Sequence, residues 1–232
     1  MPAWGMHLLI AKKVSEKINI ENYNSFLIGN IVPDINNGYL IPNVSKIITH
    51  KDTHYYTEEK YASTNKVMYY NIKKFINDNK ENIKNPVVIG YITHLLTDLY
   101  WNDLAYAKHG LRNEENELIG VKLNTGENLI ADGEGRRKVK TNDFKIFTNY
   151  IYTNNLLDIP KYEEKLNDMV KLINIIDINE QDIKQAIQYL NSVKKGLNTK
   201  DLEYKIFTKE EMLENVDICA NEIVKYFKEN KI

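Results

Sequence analysis

Residues 86–108 constrain the fold more than any other segment, because apolar side chains fall on almost every face of the helix they would form. Asn85 can cap this helix with Pro86 in its first position, and Gly110 can end it. Its apolar residues are Val87, Val88, Ile89, Tyr91, Ile92, Leu95, Leu96, Leu99 and Trp101. A helix without a polar face has to be covered by other elements on all sides. The segment therefore predicts a central helix in a multi-helix fold.

Helical spacing of apolar residues dominates the rest of the chain as well. It recurs in residues 4–18, 58–79, 142–154, 161–176, 179–195 and 208–228. Residues 29–57 are rich in turn-forming residues instead, and residues 109–140 combine glycine with charge. We therefore expect an all-α fold of about eight helices, formed by residues 1–232 as a single domain, with an inserted loop or small hairpin at about 109–140.

Charge and cysteine usage narrow the class of protein. The formal net charge is −1, so no basic field favours nucleic acid or an anionic membrane surface as a partner. The single cysteine, Cys219, excludes a disulfide framework and a four-cysteine zinc site. The N-terminus lacks the basic and apolar regions of a signal peptide, and no apolar run approaches the ~18 residues of a membrane span. We expect a cytoplasmic protein without a transmembrane segment.

The central helix contains two polar residues that need an explanation. In "GYITHLLTDLYWND" (residues 90–103), His94 and Asp98 lie one turn apart on the same helix face. Gly90 precedes them by one turn and leaves room for another group to approach the backbone. A buried, unpaired carboxylate costs on the order of several kcal/mol, so a positive group has to compensate it. That group is His94 itself, a lysine from another helix, or a metal ion.

The remaining histidines make a metal ion the stronger interpretation. His7 lies on the apolar stripe of the first helix, where a single histidine is more often part of the core. His50 and His54 have i,i+4 spacing, and Asp34 follows Pro33 in a turn that succeeds an apolar run. Imidazole and carboxylate ligands suit Zn²⁺, suit Fe or Mn less exclusively, and do not suit Cu(I).

The order of these motifs resembles the bacterial zinc-dependent phospholipase C family, which is related more distantly to the single-strand-specific zinc nucleases. The resemblance rests on the histidine of the first helix, on "GNIVPD", on the histidines of "ITHKDTHYY" and above all on "GYITHLLTDLYW". It covers roughly residues 1–110. It implies an all-α protein that binds up to three zinc ions and hydrolyses phosphodiester bonds.

The resemblance also implies a set of metal ligands. One zinc would be held by Asp34, by His54 or His50, by His94 and by Asp98. We prefer His54 over His50, because an aromatic residue usually follows the family's loop histidine and Tyr55 follows His54. A second zinc would be held by His7 and by Asp98 as a bridging ligand. Leu104 occupies the position where the family has a histidine of a further zinc site, so among one to three ions we favour two.

The chemistry implied is hydrolysis of a phosphate ester, with phospholipid as one candidate substrate, by a metal-activated water molecule. Asp34 is the expected general base or metal ligand. A non-catalytic domain with one structural zinc is the main alternative, and a nuclease is a second alternative that the neutral charge disfavours.

Several neighbouring polar residues are assigned more loosely. Thr93, Thr97, Asn102 and Asp103 are candidates for orienting the imidazoles. Arg136 and Arg137 are expected in a solvated basic loop, with contact to phosphate as the alternative. One of the acidic residues Glu114, Glu115 and Glu117 would have to join His109 if that histidine binds metal.

Overall fold

The computed structural model describes residues 3–57, 70–194 and 196–232. Its α-helices in chain order are α1 (Trp4–Ser15), α2 (Tyr23–Gly29), α3 (Val32–Ile35), α4 (His50–Thr53), α5 (Ile72–Asp78), α6 (Pro86–Asp103), α7 (Gly133–Thr153), α8 (Lys165–Lys171), α9 (Glu180–Val193) and α10 (Lys209–Asn230). The predicted helical fold class is confirmed. In the described parts of the chain, no helix is both long and apolar enough to cross a membrane.

The predicted insertion is a small antiparallel sheet. Its strands β1 (Gly110–Arg112), β2 (Leu118–Lys122) and β3 (Asn128–Ile130) lie side by side in chain order, with Gly120 facing Leu111 on one side and Ile130 on the other. The insertion ends earlier than expected, because Asp132 caps α7 by accepting a hydrogen bond from the Gly135 N–H at 2.7 Å. The prediction that Arg136 and Arg137 lie in a loop is therefore wrong, since both belong to α7.

Other helix boundaries also differ from the apolar spacing. The predicted helix over residues 161–176 is reduced to α8, and α1 ends at Ser15 rather than at Ile18. Residues 29–57, expected to be irregular, contain the single-turn helices α3 and α4. Of the helix predicted over residues 58–79, α5 is described, whereas the part that contains Tyr61 and Met68 lies outside the described residues.

Helix α6 is central, as its composition predicts, and contacts α1, α2, α5 and α10. It packs tightly against α2, where Gly90 and Gly29 meet. A Cβ atom on Gly90 would lie 2.2 Å from the Phe26 carbonyl oxygen and 2.9 Å from the Gly29 Cα. The space predicted at Gly90 is thus filled by the backbone of α2. This contact places Asn30, the residue after α2, against the His94 side chain one turn further along α6.

Candidate metal centre

The six side chains predicted as metal ligands lie together in two adjoining groups. His7, His94 and Asp98 form one group, called the inner group below, and Asp34, His50 and His54 form the outer group. Within each group, one potential ligand atom per residue lies within 4.8 Å of the others. The residues come from α1, α3, α4, α6 and the residue after α4. His109 lies elsewhere and contacts Glu211 at 3.1 Å, rather than an acidic residue of the 113–117 segment.

The inner group is completely enclosed. The rings of His7 and His94 stack with centroids 3.9 Å apart. The Nε2 atom of His7 lies 3.3 Å from Asp98 Oδ1, and that of His94 lies 3.5 Å from Asp98 Oδ2. Both histidines have no solvent exposure, and Asp98 is 1 % exposed. Asp98 is therefore the common neighbour of two imidazoles.

The outer group adjoins the inner one through His54. The Nε2 atom of His54 lies 3.1 Å from that of His94, 3.4 Å from Asp98 Oδ2 and 3.5 Å from Asp34 Oδ1. The ring of His50 stacks on that of His54 with centroids 3.7 Å apart. Both loop histidines thus lie near Asp34, so the preference for His54 rests on its contacts with His94 and Asp98.

A backbone carbonyl fixes the orientation of His94. The Nδ1 atom lies 2.8 Å from the Asn30 carbonyl oxygen, which can only accept, so Nδ1 carries a proton. In the neutral ring, the Nε2 lone pair then points toward the cluster. The prediction that neighbouring polar residues of α6 orient the imidazoles is wrong for Thr93 and Thr97. Their hydroxyls donate to the Ile89 and Thr93 carbonyl oxygens, respectively.

A chain of hydrogen bonds favours the tautomer of His54 that is protonated on Nδ1. The Asn37 amide donates from Nδ2 to Asp34 Oδ1 at 3.1 Å, so its Oδ1 atom faces Thr53 at 3.3 Å. The Thr53 hydroxyl can donate to either of two oxygens, Asn37 Oδ1 or the His50 carbonyl oxygen. Its oxygen can then accept from His54 Nδ1 at 2.9 Å, which leaves the His54 Nε2 lone pair free.

These constraints fit a bound cation. Two Nε2 lone pairs that face each other at 3.1 Å repel unless a proton or a metal ion lies near both. Among the described residues, four buried atoms have no hydrogen-bond partner: both ring nitrogens of His7 and both carboxylate oxygens of Asp98. His7 Nε2 and Asp98 Oδ1 nevertheless lie 3.3 Å apart, within ion-pair distance. Buried polar atoms rarely lack partners. The imidazole nitrogens of His7 and the carboxylate oxygens of Asp98 are ligand atoms of the kinds that bind zinc in proteins.

Electrostatics keep most of these groups in the form that binds metal. Burial, reinforced by His94, lowers the pKa of His7 to about 4, and burial with His54 lowers that of His50 to about 4. Burial alone would raise the pKa of Asp98, but the neighbouring histidines outweigh it and hold the pKa well below its usual value. Burial would lower the pKa of His94, but Asp98 and Asp34 outweigh it and raise the pKa. His94 therefore holds a proton more tightly than a free imidazole does, and a metal ion would have to displace any proton on its Nε2 atom.

Asp34 connects the cluster to an open cleft. The Trp4 indole N–H donates to Asp34 Oδ2 at 3.0 Å, a contact that the sequence pattern did not predict. Asp34 lies on the wall of a cleft of about 370 Å³ whose other lining residues are largely apolar or aromatic. They include Trp4, Tyr39, Phe144, Tyr152, Tyr189 and Leu197. The outer group therefore has access to a site that can hold an apolar molecule.

A protein-family model matches most of the chain. The family model described as "Zinc dependent phospholipase C" matches residues 6–200, an interval that contains all six clustered residues. No curated protein and no solved structure matches the chain.

Proposed function

Since this chain belongs to the zinc-dependent phospholipase C family, we propose that it hydrolyses phosphodiester bonds with zinc held by the six clustered side chains. The proposal assigns His7, His94 and Asp98 to one ion and Asp34, His50 and His54 to a second; His54 and Asp98, 3.4 Å apart, connect the two groups. The pair of three-residue groups supports two ions rather than one or three.

Each side chain has a role that follows from its surroundings. When bound, zinc supplies Lewis-acid activation of a water molecule and of the phosphoryl oxygens. Asp98 neutralises charge at the centre of the cluster. Asp34 is the proposed general base; it stays ionised and able to accept a proton because its pKa is held below the usual value, since burial raises the pKa but His94 and His54 outweigh burial. Trp4 and Asn37 hold the two oxygens of Asp34 in place.

The substrate proposed is a phosphate ester with an apolar group, such as a phospholipid. The observation that carries this proposal is that Asp34 belongs both to the histidine cluster and to the wall of the apolar cleft. An apolar chain in the cleft would put the ester next to Asp34. A long polyanion such as single-stranded DNA would need a basic groove, and the net charge of −1 does not favour one.

The test compares metal-depleted protein with protein reloaded with zinc. Hydrolysis of bis-(p-nitrophenyl) phosphate and of a short-chain phosphatidylcholine is measured for wild type, for Asp34→Asn and for the control Asp168→Asn, whose side chain is 88 % exposed. We expect zinc-dependent turnover that Asp34→Asn lowers by about 100-fold or more and that the control keeps. Turnover that ignores zinc, or that survives Asp34→Asn unchanged, contradicts the proposal.

A structural metal site is the second candidate, because the inner group is fully buried and closed sites are typical of structural zinc. In that case chelation would lower the melting temperature, but reloaded protein would hydrolyse neither ester. The cytoplasmic location and the single domain stay predictions, which cell fractionation and limited proteolysis would test.

A further inference from the structure

Lys140 is a buried cation that the proposed reaction has not used. It lies on α7, faces α6 and is 3 % exposed. Its ammonium donates to Asn102 Oδ1 at 2.7 Å and lies 4.2 Å from the centroid of the Tyr106 ring. A buried lysine normally has a carboxylate partner. Among the described residues, no carboxylate forms an ion pair with Lys140, and an amide oxygen and a ring face take its place.

The two side chains of this contact have more donors than acceptors. An ammonium has three N–H groups, and the contact with Asn102 uses one of them. The Asn102 Nδ2 atom is also buried, and it has no hydrogen-bond partner among the described residues. Asn102 Oδ1 already accepts from Lys140. The remaining N–H groups of the Lys140 ammonium and of Asn102 Nδ2 therefore need other acceptors. A set of buried donors without acceptors is complementary to an anion.

This donor set lies beside the candidate metal centre. Asn102 follows Asp98 by one turn on the same face of α6, a rise of about 6 Å. Phe144, one turn after Lys140 on α7, lines the cleft that contains Asp34. Burial lowers the pKa of Lys140 to about 8, while the charge of Asp98 acts in the opposite direction. Lys140 therefore stays mostly charged near neutral pH, and Asp98 is close enough to affect it.

We propose that the Lys140 ammonium and the Asn102 amide form an anion subsite that binds a phosphoryl oxygen next to the histidine cluster. The inference rests on the proposed function, because it assigns the anion to the phosphate of the ester being hydrolysed. Free phosphate and a phosphodiester share this oxygen, and both are expected to bind. Lys140 would then favour the transition state, in which negative charge on the phosphoryl oxygens grows.

Binding is measured without turnover, so that loss of catalysis does not affect the result. Isothermal titration of zinc-loaded protein uses inorganic phosphate in one arm and dimethyl phosphate, a diester with a poor leaving group, in the other. The proteins are wild type, Lys140→Met, Asn102→Asp and Lys138→Met. Lys138→Met is the matched control, because it removes the same charge from the exposed face of the same helix. Zinc content and thermal melting are recorded for each protein.

Asn102→Asp separates anion binding from a structural role. The new carboxylate would give Lys140 an ion-pair partner that offsets its repulsion of Asp98 one turn away, so the fold should be retained. The amide donors would be lost to the ligand and the positive charge neutralised. We expect Lys140→Met and Asn102→Asp to weaken binding of at least one ligand by about 10-fold or more, and Lys138→Met to leave it unchanged. Loss with inorganic phosphate alone assigns the subsite to the phosphomonoester product, whose dianionic group phosphate mimics. Loss with dimethyl phosphate alone assigns it to the substrate, and loss in both arms assigns it to substrate and product.

The outcome that overturns the inference is unchanged affinity of folded Asn102→Asp for both ligands. If Lys140→Met fails to fold, Asn102→Asp alone decides. Failure of the subsite and failure of the proposed function give different results: protein that binds phosphate through Lys140 but hydrolyses no ester would refute the hydrolase and keep only the anion site. If the protein hydrolyses esters but all variants bind phosphate with the same affinity, the subsite is refuted and the hydrolase is kept.

Discussion

Replacing Gly90 by alanine should weaken zinc binding without touching any ligand. The added Cβ would lie 2.2 Å from the Phe26 carbonyl oxygen, whereas a carbon–oxygen contact needs about 3.3 Å. Because the obstacle is backbone, α2 and α6 have to separate by about 1 Å. The same displacement would lengthen the bond from His94 Nδ1 to the Asn30 oxygen from 2.8 Å to about 3.8 Å, beyond hydrogen-bonding distance.

The expected cost has two parts. Overpacking contributes about 1–3 kcal/mol, and the lost hydrogen bond contributes about 1 kcal/mol, so the free energy of unfolding should fall by about 2–4 kcal/mol. Losing a group that orients a metal-ligating histidine typically lowers metal affinity about 10- to 100-fold. Urea unfolding in chelator measures the first effect, and titration against a competing zinc chelator measures the second.

Gly133→Ala is the matched control, since its Cβ would have 3.8 Å to its nearest neighbour, the Arg136 side chain. It should leave zinc affinity unchanged and stability equal or slightly higher. If Gly90→Ala matches this control in both measurements, the contact between α2 and α6 does not hold His94 in place, and the reasoning is refuted.

Three further predictions concern the cluster itself. Thr53→Val removes the hydroxyl that contacts His54 Nδ1, so zinc affinity, measured by competition with a chelator, should fall about 10- to 100-fold. The exposed Thr125→Val is the control. Equal zinc affinities of the two variants would count against the hydrogen-bond chain. Asp98→Ala should release zinc and lower the melting temperature of zinc-treated protein, because a ligand bound by the folded state stabilises it; identical melting curves for both proteins in zinc and in chelator would contradict this. Folding lowers the pKa of His7 from 6.5 to about 4. In chelator, the unfolded chain therefore binds more protons than the folded protein between pH 6.5 and pH 4. The stabilising contribution of neutral His7 is present above pH 6.5 and is lost as the pH falls. The stability of wild type relative to His7→Gln should drop by about 3 kcal/mol between pH 7 and pH 4, and a pH-independent difference would show that His7 is not held neutral.

The sequence predicted His7, Asp34, His94 and Asp98 because each is a scarce polar side chain on an otherwise apolar segment, whereas His50 and His54 were predicted from their i,i+4 spacing and from the family resemblance. His7 and His94 interrupt helical stripes, and Asp34 ends an apolar run. Such polar residues can be recognised from their neighbours in the sequence alone, because an apolar pattern predicts burial and a buried carboxylate needs a partner. The central position of α6 was predictable for the same reason, because its sequence has no polar face.

The groups that orient these residues were not predictable, because they depend on tertiary contacts. Asn30 acts through its backbone oxygen, which carries no sequence signal, and it meets His94 across 64 residues. Asn37 and Thr53 are common turn and loop residues whose role appears only once Asp34 and His54 are adjacent. Lys140 was hidden in a segment with too much glycine and charge to suggest a helix, and its partner Asn102 lies 38 residues away.

The burial of the inner group has a consequence for exchange kinetics. His7 and His94 have no solvent exposure, whereas His50 is partly exposed and Asp34 borders the cleft. A chelator could reach an ion of the outer group through the cleft. An ion of the inner group could leave only when α1, which carries His7, separates from α6, and such local opening is slow in a packed core. The two ions would therefore exchange on different timescales, and the inner one would be acquired as the chain folds.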